Sequence, residues 1–286
     1  MQTYSEITAK IAAFKRIDLR KAKIGYLKQE IDQICIGHRK SVPILKMGQE
    51  LYRAVKFEEK PAEKAKLGYP PSGSITDQRA NRAGEVRFYC AIGKGLAVLE
   101  KAVDGDLIAI SKWKIVRKFY INDVRHNRPS VFNQSSVDKV IGKFFATEFG
   151  QKINEGKEHL YKLSIAISES LAGANQTIED LNGVFGWGGL IYPSIHTGGD
   201  NLVLFPEVVD SCLELVNVEY VRVDKIESPK VTITHLDFSN TFNDGLIEWN
   251  GRVCKWEIES GSEVSVRYGD NGSVLKDSFG NTLEPV

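Results

Sequence analysis

The sequence is poor in cysteine and has no long apolar run. Its four cysteines, Cys35, Cys90, Cys212 and Cys254, are widely scattered and suggest no disulfide framework, so we expect free thiols in a reducing cytoplasm. Cys35-x-x-His38 has no second Cys/His pair at ligand spacing, and we therefore expect no zinc site. No apolar stretch approaches the ~20 residues of a membrane-spanning helix, and the first residues have no signal-peptide core. These absences predict a cytoplasmic protein that holds no metal and enters no membrane.

The motifs of two common classes of enzyme are also missing. The run Gly186–Gly189 (GWGG) precedes a predicted strand rather than a helix, so it is not a phosphate-binding loop. Ser194 and His196 would share one face of a strand, but no Gly-x-Ser-x-Gly elbow surrounds the serine. The sequence therefore argues against a serine hydrolase that uses this pair.

The net charge of +1 conceals an unequal distribution of charged residues. Residues 1–47 hold ten Lys or Arg and four Asp or Glu, whereas residues 206–286 hold seven basic and fifteen acidic residues. A basic arm could dock on nucleic acid, but aromatic stacking residues are sparse in it and no nucleic-acid motif accompanies it. We favour the alternative that the two ends complement each other, within one chain or across a dimer, so a homo-oligomer is a candidate assembly.

Apolar residues recur at helical spacing in the N-terminal part and in the middle of the chain. The pattern over residues 5–35 predicts a helix with Gly25 as a weak point. A second apolar face over residues 137–153 predicts another helix, for which Ser135 or Ser136 is the expected cap.

The spacing of apolar residues changes to a period of two from Ser228 onward, which predicts antiparallel strands. Within this region, Asn250-Gly251 predicts a tight hairpin. We therefore expect an α+β protein with a mixed, largely antiparallel core. It would have three parts: an N-terminal helical arm (1–47), a catalytic domain (48–225) and a C-terminal antiparallel β extension (226–286).

The central stretch of the chain is RANRAGEVRFYCAIGKGLAVLE, from Arg79 to Glu100. A polar, glycine-containing turn leads into a short apolar strand, Val86 to Ala91, and two glycines then open a helix, Leu96 to Ala102. This order places Arg79 just before the strand, Tyr89 within it, and Glu100 one or two turns into the helix. On this stretch alone, a helical glutamate beside a lysine would be interpreted as a solvated surface residue.

Two further segments change that interpretation. Arg53 interrupts the apolar strand Leu51 to Val55, and Ser194 ends a Tyr-Pro-Ser corner that follows another predicted strand. With the central stretch they form a pattern that comprises, in chain order, Arg53, Arg79, Asn81, Tyr89, Glu100 and Ser194. This pattern resembles the RES-domain family, which is named for its Arg, Glu and Ser. The resemblance covers the chain from Gly48 to Asp224.

The resemblance implies a core similar to the ADP-ribosyltransferase fold and NAD as the substrate, with no separate cofactor. Cleavage of the nicotinamide–ribose bond builds positive charge on the ribose, and Glu100 would stabilise that charge. Arg53 and Arg79 would hold the pyrophosphate, Tyr89 would pack on the nicotinamide, and Ser194 would fix the geometry of the pocket. The predicted catalytic residues are thus Glu100, Arg53 and Ser194, and the predicted NAD-binding residues are Arg53, Arg79, Asn81, Tyr89 and Ser194.

Each assignment has a structural alternative. Arg53 could pair with a neighbouring carboxylate, and Tyr89 could be a buried structural tyrosine. Ser194 after a proline is an ordinary turn residue. Arg82 lies close to the predicted pyrophosphate arginine, so the choice rests on the Arg-x-Asn spacing, and Arg87 could also serve the phosphates.

Three functions are compatible with this pattern. The leading hypothesis is an NAD-degrading enzyme that releases nicotinamide, with water (glycohydrolase) or phosphate (phosphorylase) as the acceptor. Family members suggest a toxin-like role, which makes a cognate antitoxin protein a candidate partner. A mono-ADP-ribosyltransferase that modifies a protein would use the same donor site. A catalytically idle RES-like binding module is the third alternative, and the joint presence of Arg53, Glu100 and Ser194 argues against it.

Overall fold

The chain forms a mixed α+β structure around one large sheet. The computed structural model describes residues 2–39, 42–125, 134–173, 183–196, 199–228 and 230–251, and the backbone of short strands beyond residue 251. The strands up to residue 259 are, in chain order, β1 (Ile44–Leu45), β2 (Glu50–Lys56), β3 (Phe88–Ala91), β4 (Leu107–Ile115), β5 (Phe119–Asp123), β6 (Trp187–Pro193), β7 (Asp200–Leu204), β8 (Leu213–Glu227), β9 (Lys230–Ser239), β10 (Phe242–Asn243), β11 (Leu246–Ile247) and β12 (Cys254–Glu259). The helices of the described residues are α1 (Tyr4–Phe14), α2 (Ile24–Cys35), α3 (Lys94–Leu99), α4 (Ser136–Phe149), α5 (Tyr161–Gly173) and α6 (Pro206–Cys212).

All of these strands except β10 and β11 belong to a single sheet. Its spatial order is β1-β5-β6-β7-β3-β2-β4-β8-β9-β12, and β5 with β6 is the parallel pair among otherwise antiparallel neighbours. Later strands β13 (Ser265–Gly269), β14 (Gly272–Lys276) and β15 (Thr282–Leu283) pair antiparallel with one another. The predicted α+β class with a largely antiparallel core is confirmed.

The sheet is weakest between β2 and β3. These two strands pair at one position, Tyr52 opposite Ala91, whereas β2 pairs with β4 along its whole length. A ladder interrupted in this way leaves main-chain groups and side chains accessible between the strands. The junction divides the sheet into half-sheet A (β1, β5, β6, β7, β3) and half-sheet B (β2, β4, β8, β9, β12).

Two groups of helices cover one face of the sheet, one over each half. On half-sheet A, helices α1, α2, α4 and α5 share an apolar core with the inward side chains Leu190, Tyr192 and Val203. On half-sheet B, α3 packs against Ala54, Ile110 and the neighbouring strands. The opposite face holds a third apolar core that includes α6. Helix α3, which follows β3 and packs on Ala54 of β2 and Ala91 of β3, thus lies beside the junction of these two strands.

The N-terminal segment contains two helices rather than the single predicted helix over residues 5–35. Helix α1 ends at Phe14 and α2 begins at Ile24, so Gly25 lies in the first turn of α2 and does not break the helix. The connection between them is fixed by Lys162 on α5, whose ammonium donates hydrogen bonds to the main-chain carbonyls of Leu19 and Ala22, each at 3.0 Å. These contacts join the N-terminal segment to the helices of half-sheet A.

The predicted division after residue 225 falls within β8. Beyond it, β9 pairs along β8, and β12 pairs with β9, so the main sheet continues into the C-terminal segment. The hairpin predicted at Asn250-Gly251 is wrong, because β11 before it pairs with β10 and β12 after it pairs with β9. The tight hairpin instead turns at Asp244 and Gly245, which both have positive φ, as a type I′ turn requires. In the part of the chain that the structure describes, we find no helix with the length and apolar character of a membrane span.

Candidate active site

A cleft of about 700 Å³ opens at the junction of β2 and β3. Its walls come from both half-sheets, from the end of α3, and from the loops of residues 70–87 and 153–161. Its volume lies within the ~300–1,000 Å³ typical of small-molecule sites. Five of the six predicted site residues line it, namely Arg53, Arg79, Asn81, Tyr89 and Glu100. The sixth, Ser194, reaches the cleft through a hydrogen bond to Glu100.

Glu100 lies directly after the last residue of α3 rather than within the predicted helix. Gly93, with a φ of +118°, lets the chain turn from β3 into this short helix, and Leu96 to Leu99 bury it against half-sheet B. Glu100 is exposed as a residue, but its carboxylate is anchored, because Oε1 accepts hydrogen bonds from the side chains of Ser194 and Asn201, both at 2.6 Å. Among the described residues, nothing donates to its other oxygen, Oε2.

The Ser194 hydroxyl is committed to Glu100. Ser194 is buried, its Oγ donates to the Glu100 carboxylate, and the same Oγ accepts the main-chain N–H of His196 at 3.0 Å. The contact between Ser194 and His196 is thus made by the backbone of the histidine, which is not the geometry of a serine nucleophile with an imidazole base. Ser194 therefore contributes one of the two hydrogen bonds that hold the Glu100 carboxylate.

Asn201 is a site residue that was not among the predicted ones. It is the second residue of β7, lies directly opposite Tyr192 on β6, and is 4 % exposed. Burying an amide costs free energy unless it is hydrogen-bonded, and here its Nδ2 donates to Glu100. A polar residue at the head of the apolar run LVLF was the available signal.

Arg53 places a buried cation at the cleft without a carboxylate partner among the described residues. Its Nη1 donates to the main-chain carbonyl of Tyr89 at 2.8 Å, across the junction of the half-sheets. Its guanidinium lies 5.2 Å from the ring centroid of Phe88, and its buried Nε–H donates to no partner among the described residues. Burial lowers the pKa of Arg53 to about 10, so the group remains charged at neutral pH. The structure therefore does not support the alternative in which Arg53 pairs with a neighbouring carboxylate.

Arg79, Asn81 and Tyr89 form one locally bonded turn at the cleft wall. The Tyr89 hydroxyl donates to Asn81 Oδ1 at 2.7 Å and accepts the N–H of Ala80 at 3.0 Å. Asn81 is 1 % exposed and its amide donates to main-chain carbonyls of its own loop. Arg79 donates to the main-chain carbonyl of Phe149, the last residue of α4, and to that of Gln151 just after the helix. Asn81 thus holds the turn, and Arg79 joins that turn to the end of α4.

No protein-family model matches this chain, and comparisons with the curated proteins and with the solved structures find no match. The functional interpretation of the cleft therefore depends on its own geometry and charge.

The remaining cations near the cleft differ in how strongly they are engaged. The Arg82 guanidinium forms a bidentate ion pair with the Glu169 carboxylate, in which Nη2 and Oε2 are 2.8 Å apart. Arg82 is therefore held by a carboxylate, whereas Arg79 is held by main-chain carbonyls. Arg87 lies over the ring of Phe205 at 4.9 Å. Lys101 lines the cleft, and its pKa is lowered by burial of the ammonium and then by the charges of Arg53 and Lys56, although the side chain as a whole is exposed. Arg53 and Lys101 are thus two cations of the lining that are coupled electrostatically, since the charge of Arg53 contributes to the lowered pKa of Lys101.

The arrangement is suited to one kind of chemistry. A carboxylate with one oxygen anchored and the other open stabilises positive charge or binds hydroxyl groups. Arg53 and Lys101 can neutralise an anionic group a short distance away. No group of three His, Cys, Asp or Glu side chains among the described residues has a geometry that could hold a metal ion. These groups could bind a ligand that carries both an anionic group and hydroxyl groups.

Proposed function

We propose that this protein is an NAD-degrading enzyme that cleaves the bond between nicotinamide and ribose, on a core similar to the ADP-ribosyltransferase fold, as its resemblance to RES domains implies. The observation that carries the proposal is the state of Glu100. Two buried donors, Ser194 and Asn201, hold one carboxylate oxygen, and the other oxygen remains open to the cleft. NAD is the substrate, and the reaction needs no further cofactor.

The chemistry follows from the charge that develops on the ribose. As the C–N bond breaks, its electron pair leaves with neutral nicotinamide and positive charge grows on the sugar. Glu100 Oε2 lies on the open side of the carboxylate, where it can stabilise this charge or accept hydrogen bonds from the ribose hydroxyls. Because Ser194 and Asn201 already orient the carboxylate, little reorganisation is needed when the charge appears.

The pyrophosphate of NAD matches the buried cation. Arg53 carries a charge without a carboxylate partner among the described residues, and burying such a charge is unfavourable until an anion pairs with it. A phosphate oxygen at Arg53 would supply that pairing. The charge of Arg53 also lowers the pKa of Lys101, so the same phosphate would interact favourably with both cations. Pairing with a phosphate would therefore offset the cost of burying the Arg53 charge.

The acceptor is water or phosphate. In either case an acceptor oxygen bonds to the ribose carbon, nicotinamide departs, and the proton of the acceptor passes to Glu100 or to solvent. Degradation of NAD would be toxin-like, and a cognate antitoxin protein is the partner this role implies. Cys35, Cys90 and Cys212 form no disulfide among the described residues, which suits a reducing compartment such as the cytoplasm.

The decisive experiment is NAD turnover by the purified protein, with and without phosphate, beside Glu100→Gln. This variant keeps the size of the side chain and removes its charge, and Glu207→Gln, an exposed carboxylate outside the cleft, is the matched control. We expect nicotinamide release by the wild type and the control, and a loss of about 100-fold or more in kcat for Glu100→Gln. The second product, ADP-ribose or its 1-phosphate ester, identifies the acceptor.

Two outcomes separate the alternatives. If folded wild-type protein leaves NAD untouched, the proposed activity is wrong, and measured binding of NAD then decides whether the idle binding module remains. If label from NAD appears on a protein in place of a free product, the transferase is correct.

Asn201→Ala gives a more specific check of the site. We expect it to lower kcat by about 10-fold with little change in KM, because it removes an orienting hydrogen bond and leaves the pyrophosphate contacts in place. An unchanged kcat in folded protein would mean that Asn201 does not position Glu100.

A further inference from the structure

Arg125 binds two carboxylates that belong to different strands. It lies just beyond the end of β5, where its Nε donates to Asp123 Oδ1 at 2.8 Å and its Nη2 donates to Asp123 Oδ2 at 2.6 Å. Its Nη1 donates to Asp200 Oδ2 at the start of β7. The side chains of Arg125, Asp123 and Asp200 are 15 %, 5 % and 15 % exposed, so solvent and salt screen these ion pairs little.

The register of the sheet explains how Arg125 reaches β7. Strand β6 stands between β5 and β7, so the guanidinium joins two strands that are not neighbours. Asp123 lies opposite Ile191 on the parallel strand β6, and Asp200 lies opposite Pro193, two residues further along β6. Arg125 follows Asp123 by the same two residues. It therefore comes level with Asp200 across the end of β6.

Asp200 connects this ion pair with the residues that hold Glu100. It directly precedes Asn201, whose Nδ2 donates to Glu100 Oε1 at 2.6 Å. Its main-chain carbonyl accepts the N–H of Ile92 at 2.9 Å, at the end of β3, where the chain turns toward α3 and Glu100. A shift of Asp200 would therefore move Asn201 relative to the carboxylate that it orients.

We propose that Arg125 is a positioning residue, which holds Asp200 at the start of β7 and thereby fixes the hydrogen bond from Asn201 to the Glu100 carboxylate. Its effect on turnover rests on the proposed function. Arg125 does not line the cleft, whereas Asn201 and Glu100 do, so it acts through them. A carboxylate that must meet a developing charge in one geometry becomes less effective when its supporting hydrogen bonds loosen.

The test is NAD turnover by Arg125→Met, which keeps a long side chain and removes the guanidinium. We expect kcat to fall by about 10-fold with KM nearly unchanged, because the residues that line the cleft remain. Asp200→Ala should lower kcat by a similar factor. It leaves the pair of Arg125 with Asp123 intact, so it serves where Arg125→Met does not fold. Arg222→Met, which breaks an exposed Arg–Asp pair outside the cleft, is the matched control and should keep the wild-type kcat.

A double-variant comparison separates positioning from a general loosening of the fold. Because Arg125 and Asp200 act through Asn201, either variant combined with Asn201→Ala should lose about 10-fold in kcat, as Asn201→Ala does alone. Independent effects would multiply to a loss of about 100-fold, and that result would overturn the proposal. A wild-type kcat in folded Arg125→Met or Asp200→Ala would overturn it as well.

Failure of the proposed function would be recognised separately. If the folded wild type consumes no NAD, the proposed activity is wrong, and amide hydrogen exchange then tests the contact itself. The Ile92 amide donates to Asp200, so it should exchange about 10-fold faster in Arg125→Met or Asp200→Ala than in the wild type and in Arg222→Met. Unchanged exchange would mean that Arg125 does not hold the start of β7, and the inference would be wrong whatever the activity.

Discussion

The ion pair that anchors α3, the helix just before Glu100, leads to a quantitative prediction of its contribution to stability. Lys94, the first residue of α3, forms an ion pair with Glu219 on β8, and the same carboxylate oxygen accepts a hydrogen bond from His235 Nε2 on β9 at 2.9 Å. The three side chains are 12 %, 9 % and 2 % exposed, so the pair is removed from solvent. Replacing Lys94 with Met would leave the Glu219 carboxylate buried without its cation.

The expected cost of Lys94→Met is about 3 kcal/mol of unfolding free energy at pH 7, the usual loss when one partner of a buried pair is removed. The pKa of Glu219 leads to a similar figure. Burial alone would raise this pKa, but Lys94 and His235 outweigh burial and lower it from 4.5 to about 2. A depressed carboxyl pKa contributes stability above the unfolded value, here about 3 kcal/mol, and that contribution is lost as the pH falls from 4.5 through 2.

The assay is urea unfolding of the wild type and the variant at pH 7 and at pH 3. Lys112→Met is the matched control, because Lys112 pairs with Glu50 on a strand surface where the side chains are 26 % and 44 % exposed. We expect the control to cost under about 1 kcal/mol. We also expect the difference between Lys94→Met and wild type to shrink at pH 3. A Lys94→Met variant no less stable than Lys112→Met at pH 7 would refute the reasoning.

Three further predictions concern other parts of the chain. Gly189→Ala should cost about 3 kcal/mol by chemical unfolding, because a Cβ there would lie 2.0 Å from the Val203 carbonyl oxygen at a φ of +138°, and an unchanged midpoint would contradict this close approach. Ser135→Ala should cost about 1 kcal/mol in the same assay, since it removes the capping box of α4, whereas no loss would mean that water replaces the cap. Iodoacetamide followed by mass spectrometry should label Cys35 before Cys90 in the native protein, because burial raises the pKa of Cys90 to about 12, and early labelling of Cys90 would show that its core opens readily.

Local patterns in the sequence were sufficient for the class of the fold and for several elements. Helical spacing and a cap residue predicted α4, and Ser135 is its N-cap, with a capping box completed by Asp138. The alternation that begins near Ser228 predicted the strands that follow it. These features depend on side chains that are close in sequence, so their signals lie within a short window.

Features that depend on distant contacts were predicted less well. The turn chemistry of Asn250-Gly251 is favourable for a hairpin, but the strands on either side have better partners in β10 and β9, and tertiary pairing overrides the local preference. Asn201 was missed because nothing local connects it with Glu100. The pairing of these two residues requires β6 and β7 to stand beside the end of α3, which only the assembled sheet provides.

The contacts that build the candidate site also hold the two half-sheets together. Glu100 follows a helix that packs on half-sheet B, whereas Ser194 and Asn201 belong to half-sheet A, so both hydrogen bonds to Glu100 cross the weak junction. Arg53 crosses it in the other direction, from β2 to the Tyr89 carbonyl of β3. Because β2 and β3 pair at one position, main-chain hydrogen bonds join them weakly. The side-chain hydrogen bonds of Arg53 and Glu100 supply polar contacts across the junction in their place. Loss of activity in a site variant therefore has to be separated from loosening of the junction, which is why Glu100→Gln, able to keep hydrogen bonds, is a sharper probe than Glu100→Ala.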